Sequence, residues 1–225
     1  MDQEQAPHPH DSPQSPDPDR RRPGPPAIGR GLPEGTRRRA AELYWEAFGR
    51  KLGAGLGPAE AGIAFLAEHL HPDRAVVATR DGELVGLAGY AHGGRGLTGG
   101  TAGDVLRAYG GIRALPRLAV LALFERRPGH GELVMDGICV DAAQRGTGVG
   151  GLLLDEVAAV ARELGCRRIR LDVIDVNPRA RALYERHGFV TTSTQRTPFL
   201  RGLMGFGAVT TMVRRVEPAR PGGHG

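Results

Sequence analysis

The 225-residue chain predicts a single mixed α/β layered domain. Three observations carry that reading. Helix-type and strand-type apolar patterns alternate in the order α-α-β-β, an intervening stretch, then β-α-β-α-β-β. Glycine, often beside Asp or Asn, punctuates the junctions between them. No segment repeats another, which excludes a repeat array.

Residues 1–35 hold nine of the seventeen prolines, with Asp, Ser, Gln and His between them and almost no large apolar side chain. Such a segment buries too little surface to offset its ordering entropy, so a disordered tail is expected. Residues 217–225, EPARPGGHG, read as a second tail, leaving 36–216 as the folded domain. Thr36 is placed to cap a first helix with Ala40, Leu43, Tyr44, Ala47 and Phe48 on one face. Pro58 suits the first turn of a second helix through Ile63, Phe65, Leu66 and Leu70. RAVVATRDGELVGLAGYA reads as a β-hairpin around Asp81-Gly82, a dipeptide suited to a type I′ turn. ELVMDGICV is the next strand, followed by the glycine loop QRGTGVGG and a helix with Leu152, Leu153, Val157, Val160 and Leu164 on one face. Gly165 stops that helix. RRIRLDVIDV is a strand ending at Val176, and Asn177-Pro178 caps and opens a short helix ended by Gly188. FVTTSTQ and AVTTMVRRV, separated by the apolar loop TPFLRGLMGFG, close the domain.

Residues 103–131 fall outside this alternation and read as a helical insertion. Val105, Tyr109, Ile112 and Leu115 have helical spacing, and Pro116 is expected to break the run in two. The second part contains LAVLALF, apolar all round, which requires either burial or a partner.

Bulk properties exclude several function classes. Thirty basic residues against twenty-five acidic ones give a net charge of +5, spread along the chain without an aromatic-and-basic recognition motif, so no nucleic-acid partner is expected. Cys139 and Cys166 are too few for a metal cage, and no metal is expected. No apolar run follows the N-terminal charges, and no stretch approaches the ~18 apolar residues of a membrane span. A cytoplasmic location follows as an expectation.

The glycine loop poses the chemical question. Gly146, Gly148 and Gly151 fit the G-x-G-x-x-G spacing of a dinucleotide site, whereas Arg145, Gly148 and Gly150 fit the R-x-x-G-x-G spacing of a coenzyme A site. A dinucleotide glycine belongs in the turn directly after its strand. Here Asp141 to Arg145 separate Val140 from Gly146, and the final strands read as a hairpin rather than the rest of a doubly wound sheet. Backbone N–H groups from Gly146 to Gly151 at a helix N-terminus suit a pyrophosphate, and glycine permits its close approach.

The strand MDGICV, the loop QRGTGVG and the segment NPRARALYERHGF together resemble the GNAT superfamily of acyl-CoA N-acyltransferases. Asn177, Ala180, Leu183, Tyr184, Gly188 and Phe189 reproduce the family pattern N-x-x-A-x-x-L-Y-x-x-x-G-F. The resemblance covers residues 75 to 215 and is weak over 92 to 131. It implies a mixed, mostly antiparallel central sheet flanked by helices, and an N-acetyltransferase carrying acetyl from acetyl-CoA to a primary amine.

It further implies that acetyl-CoA lies between the strands ending at Val140 and Val176, splayed near a bulge. Main-chain groups of Ile138 and Val140 would pair with the pantetheine arm, the Cys139 region would offer an N–H to the thioester oxygen, and Asn177 would cap its helix or touch the pantetheine. Arg145, Gly146, Thr147, Gly148, Val149, Gly150 and Gly151 would hold the pyrophosphate. Tyr184 occupies the position of the acid that protonates the departing thiolate. The attacking amine needs a base or water chain, and Asp136 and Glu132, on one face of one strand, are the candidates. The apolar insertion is expected to wall or cover the acceptor side, with a membrane or homodimer contact as the alternative. The competing readings are an acyl-CoA sensor without turnover and an interaction module. The acceptor has no recognisable code in the sequence.

Overall fold

A computed structural model of the chain describes residues 24–110, 114–122, 128–196 and 201–217. Seven strands form one sheet: β1 (Ala27–Arg30), β2 (Ala75–Arg80), β3 (Glu83–Ala91), β4 (Glu132–Val140), β5 (Arg168–Ile174), β6 (Val190–Arg196) and β7 (Ala208–Arg215). Their spatial order is β1-β2-β3-β4-β5-β7-β6. All neighbours are antiparallel except β4 and β5. The β2–β3 hairpin turns on Asp81 and Gly82 at φ 52° and 83°, the positive pair a type I′ turn requires.

Period-two alternation divides the strand side chains between two cores. One face, with Val76, Leu133, Met135 and Ile169, packs on α5 (Val149–Glu163) through Leu153, Leu154 and Val157, and on Tyr184 of α6 (Pro178–Arg186). The other, with Ala75, Val77, Leu84 and Leu87, packs on Leu43 and Tyr44 of α1 (Arg37–Leu56) and Phe65 and Leu66 of α2 (Ala59–His69). Leu87, Leu133 and Leu153 are fully buried, each contributing about 1.5–3 kcal/mol of apolar transfer.

The alternation slips within β4. Gly89 pairs with Gly137 but Tyr90 with Met135, so Asp136 is the extra residue of a β-bulge. Leu133 and Met135 precede the bulge in the α5-side core. Beyond it Ile138 and Val140 pack toward that core while Cys139 joins the α1 side. Gly137 has φ 153°, and a Cβ there would stand 2.2 Å from Cζ of Phe48. Close approach of α1 therefore demands glycine.

The structure corrects the sequence reading in three places. β1 lies inside the segment expected as tail, where Ala27 to Arg30 pair with the edge of β2. Ile28 packs on the α5-side core, and Arg30 binds Glu156 and Glu163 of α5. These partners are remote in sequence, so local composition does not reveal them. The strand expected to reach Val176 stops at Ile174. The insertion divides into two short helices as expected, but the break lies before Pro116, which sits in the first turn of α4 (Leu115–Ala122), while α3 (Ala102–Tyr109) ends at Gly110 with φ 75°. A capping box formed by Thr101 and Asp104 starts α3.

The insertion packs on the α1 side. The Tyr109 hydroxyl donates to the Leu56 carbonyl, and Arg117 donates to the carbonyls of Gly55 and Gly57 at 3.2 and 2.8 Å. Val105, Ala114 and Leu118 join the α1-side core. Of the rest of LAVLALF, the side chains of residues 119–122 and the whole of residues 123–124 lie outside the described residues, Leu121 and Phe124 side chains among them.

Candidate active site

β4 and β5 pair only through Glu132–Arg168, Leu133–Ile169 and Val134–Arg170. Past those three pairs the strands part, while β4 stays bonded to β3 and β5 to β7. The bulge at Asp136 lies just beyond the parting. Main-chain groups of Ile138, Cys139 and Val140 thus belong to an edge facing an opening in the sheet, where an extended ligand can add as a strand.

A 3-10 turn (Ala142–Gln144) and the glycine loop connect β4 to α5. Gly146 and Gly148 have φ 84° and 88°, and a Cβ on either would meet nothing within 4 Å. Space thus opens in front of the α5 N-terminus. The amides of Gly151 and Leu152 bond the Gly148 carbonyl, whereas those of Val149 and Gly150 belong to the first turn, where helix geometry supplies no carbonyl. A cleft of about 520 Å³ lies here, lined by Thr147, Gly148, Gly151, Leu152 and Asp155, by Leu183 and Arg186 of α6, and by His187 just after it. Amide donors, the positive helix end and Arg186 fit a pyrophosphate.

Two expected loop ligands point elsewhere. Arg145 Nε donates to the Val140 carbonyl at 3.1 Å and its Nη2 bonds Glu46 of α1, so this arginine ties the loop to α1. Arg39 and Asp141 add a second tie. The Thr147 hydroxyl donates to the Gln144 carbonyl at 2.8 Å, within its own turn.

Tyr184 is buried on the α5 side of β4, its ring 5.8 Å from that of Phe189. Burial, reinforced by nearby Cys139, pushes its phenol well above the usual value and keeps the proton on oxygen. Burial likewise raises the Cys139 thiol, leaving it a neutral core group. Asn177 Oδ1 accepts the Ala180 amide at 3.2 Å, the capping role.

The two candidate bases separate. Asp136 is half-buried at the bulge, with Oδ2 accepting the Leu97 amide at 2.7 Å. Glu132 is 3 % exposed at the paired base of β4, holding Arg168 Nε at 2.9 Å, Arg170 Nη1 at 3.5 Å and the Gly129 amide at 3.1 Å. They share a strand face, but Glu132 is enclosed by its cations below the opening.

Tyr44 was not singled out as chemistry in the sequence, because it has the spacing of a core residue on α1. Its hydroxyl reaches the Asp136 carbonyl at 3.5 Å, and burial, then Asp136 and Cys139, push its phenol upward while a bond with Thr98 opposes them. Tyr44 thus lies in the α1-side core and Tyr184 in the α5-side core, one phenol on each face of the sheet. On the α1 side, Phe65 stacks on His69 at 4.2 Å and tilts against Tyr109 at 6.2 Å.

Among the described residues no group of three His, Cys, Asp or Glu side chains could hold a metal ion, and no helix is long and apolar enough to cross a membrane.

A split sheet beside a glycine-loop helix is the framework of an acyl-coenzyme-dependent transferase fold, and the chain belongs to the acetyltransferase (GNAT) family, matched over residues 38–189. It is 39 % identical over 56 residues to thialysine N-epsilon-acetyltransferase of Bos taurus, covering 25 % of this chain and 33 % of that protein. The chain spans between a third and two fifths of the length of the curated relatives it matches. In fold it is similar to an N-acetyltransferase from Staphylococcus aureus Mu50, with TM-score 0.58, 15 % identity, and coverage of 86 % of this chain and 100 % of that one. A GCN5-related N-acetyltransferase from Kribbella flavida superposes with TM-score 0.55 at 19 % identity, covering 84 % and 97 %.

Proposed function

We propose that the protein transfers acetyl from acetyl-CoA to a primary amine by direct attack in a ternary complex. The observation that carries this reading is the parting of β4 from β5 beside the bulge, with the glycine loop at one end. The opening gives the pantetheine arm a strand edge, and the Val149 and Gly150 amides with Arg186 give the pyrophosphate its donors. The amine approaches from the α1 side, loses its proton through Asp136 or a water held there, and attacks the thioester carbon. A Cys139-region amide steadies the developing oxyanion. As the adduct collapses the C–S bond breaks, and Tyr184 gives its proton to the thiolate. An amine acceptor accords with the Bos taurus relative, whose name specifies N-acetylation.

The testing experiment follows CoA thiol release over amino acids, polyamines, aminoglycosides and N-terminal peptides, with product mass measured. The reading predicts intersecting initial-velocity lines, and a parallel ping-pong pattern overturns direct transfer. The engagement of Asp136 by Leu97 and of Glu132 by its arginines favours one second reading, an acyl-CoA sensor. That reading predicts thermal protection by acetyl-CoA with no thiol release from any amine.

A further inference from the structure

We propose that a cavity at the far end of α5 from the glycine loop is a second anion site, built for a small molecule carrying two or more phosphate groups. The cavity measures about 1390 Å³. Its walls carry Arg162 of α5, Arg167, Arg168 and Arg170 at the start of β5, and Arg214 and Arg215 at the end of β7.

Six arginines and two glutamates, Glu132 and Glu217, line it. Glu132 serves Arg168 and Arg170. Among the described residues no ion pair joins Arg162, Arg167, Arg214 or Arg215 to a carboxylate. The sheet register concentrates this charge, because Arg168 stands directly opposite Arg215 on antiparallel strands, an arrangement of like charges that opposes folding. Arg214 Nη1 is buried with no hydrogen-bond partner. Arg168 and Arg215 share one face of the β5–β7 pair and Arg214 the other, so unpaired charge and an orphaned donor flank the end of the sheet, where an anion with several acceptor oxygens relieves them. Planar guanidinium forks match phosphate in two-point contacts. No Phe, Tyr or Trp lines the cavity, so recognition is by charge and compact size.

The cavity is separate from the coenzyme cleft. The two linings share only His187, whose Nδ1 bonds Asp155 Oδ1 at 3.2 Å. From Val149 to Arg162 the helix runs ~20 Å at ~1.5 Å per residue, beyond the reach of a pyrophosphate seated at its N-terminus.

The test titrates inorganic tripolyphosphate into the full chain by calorimetry, with and without saturating CoA, and with sulfate at matched ionic strength as comparison. Binding at least tenfold tighter than sulfate is expected, and it should persist with CoA present. Arg162 and Arg215 are exposed, so the Arg162→Gln/Arg215→Gln variant should fold normally and bind tripolyphosphate at least tenfold more weakly, with CoA affinity within twofold. Arg214→Gln provides an independent variant with the same expectation. Displacement of tripolyphosphate by CoA, or unchanged affinity in both variants, overturns the proposal. So does a variant that weakens CoA but not dephospho-CoA, because the arginines then serve the 3′-phosphate of the coenzyme itself.

Discussion

The two flanks of the split in the sheet are built differently. On the α5–α6 flank the groups facing the cleft are mostly main-chain amides and glycine-made space, supplied by contiguous stretches of chain. On the α1–α4 flank the groups at the bulge are side chains, Asp136, Tyr44 and Thr98, gathered from three separate segments. A site made of backbone constrains local sequence tightly, whereas converging side chains leave each position free to vary alone. Recognition of a coenzyme is therefore easier to read from this chain than recognition of an acceptor.

Substitutions on the two flanks can break or sharpen that contrast. The largest effect is expected from Gly148→Asp, which places a carboxylate in the open space before the α5 amides and forces a non-glycine residue to φ 88°. Acetyl-CoA should then no longer raise the melting temperature, and an intact thermal shift would move the phosphate site elsewhere. Tyr184→Phe should keep that shift and lower turnover by ~10²-fold, with equal activity reducing the phenol to packing.

Asp136→Asn should spare acetyl-CoA binding, lower the rate roughly 10-fold and flatten the limb that rises with pH as the base ionises. A full-rate variant transfers the proton to water or Tyr44. Glu132→Gln should leave the pH–rate profile unchanged but lose about 1–3 kcal/mol of stability in denaturant titration, discounted because Arg168 is 52 % exposed. A changed pH profile with normal stability would restore Glu132 as a base.

The smallest effect lies on the insertion. The Thr101 amide, then its hydroxyl and Arg107, lower the Asp104 carboxyl from 3.8 to about 2. A depressed carboxylate stabilises the fold fully above its ordinary value, and that contribution is lost as pH falls through about 2. The wild type should lose melting temperature more steeply than Asp104→Asn between pH 4 and 2, and identical slopes would deny the capping box its electrostatic part.

What was legible in the sequence follows the same division. Asp81-Gly82, Asn177-Pro178, Gly165 and the loop from Gly146 to Gly151 were readable because each imposes its geometry on its own neighbours. β1 was not, since four residues among prolines become a strand only by finding β2 and α5. The bulge was expected only through the family resemblance, because two-residue alternation gives no warning of an extra residue, although the glycine at 137 marks the crowding by Phe48. Tyr44 was seen only as part of a helix face and Arg186 was passed over, since neither stands at a motif position. Alternation correctly put Glu132 and Asp136 on one face, but could not reveal that only Glu132 would be enclosed by Arg168 and Arg170.

The three residue pairs between β4 and β5 have a mechanical consequence. β1–β2–β3–β4 and β5–β7–β6 are two small sheets basted together along a short seam, and the helices packed over it carry much of the remaining cohesion. Stress should open the molecule there first, because few backbone hydrogen bonds cross that line. A ligand laid along the gap lengthens the seam with its own amides. Amide hydrogen exchange in the second half of β4 should then slow on loading far more than exchange in the β2–β3 hairpin, making the coenzyme a stitch as well as a reactant.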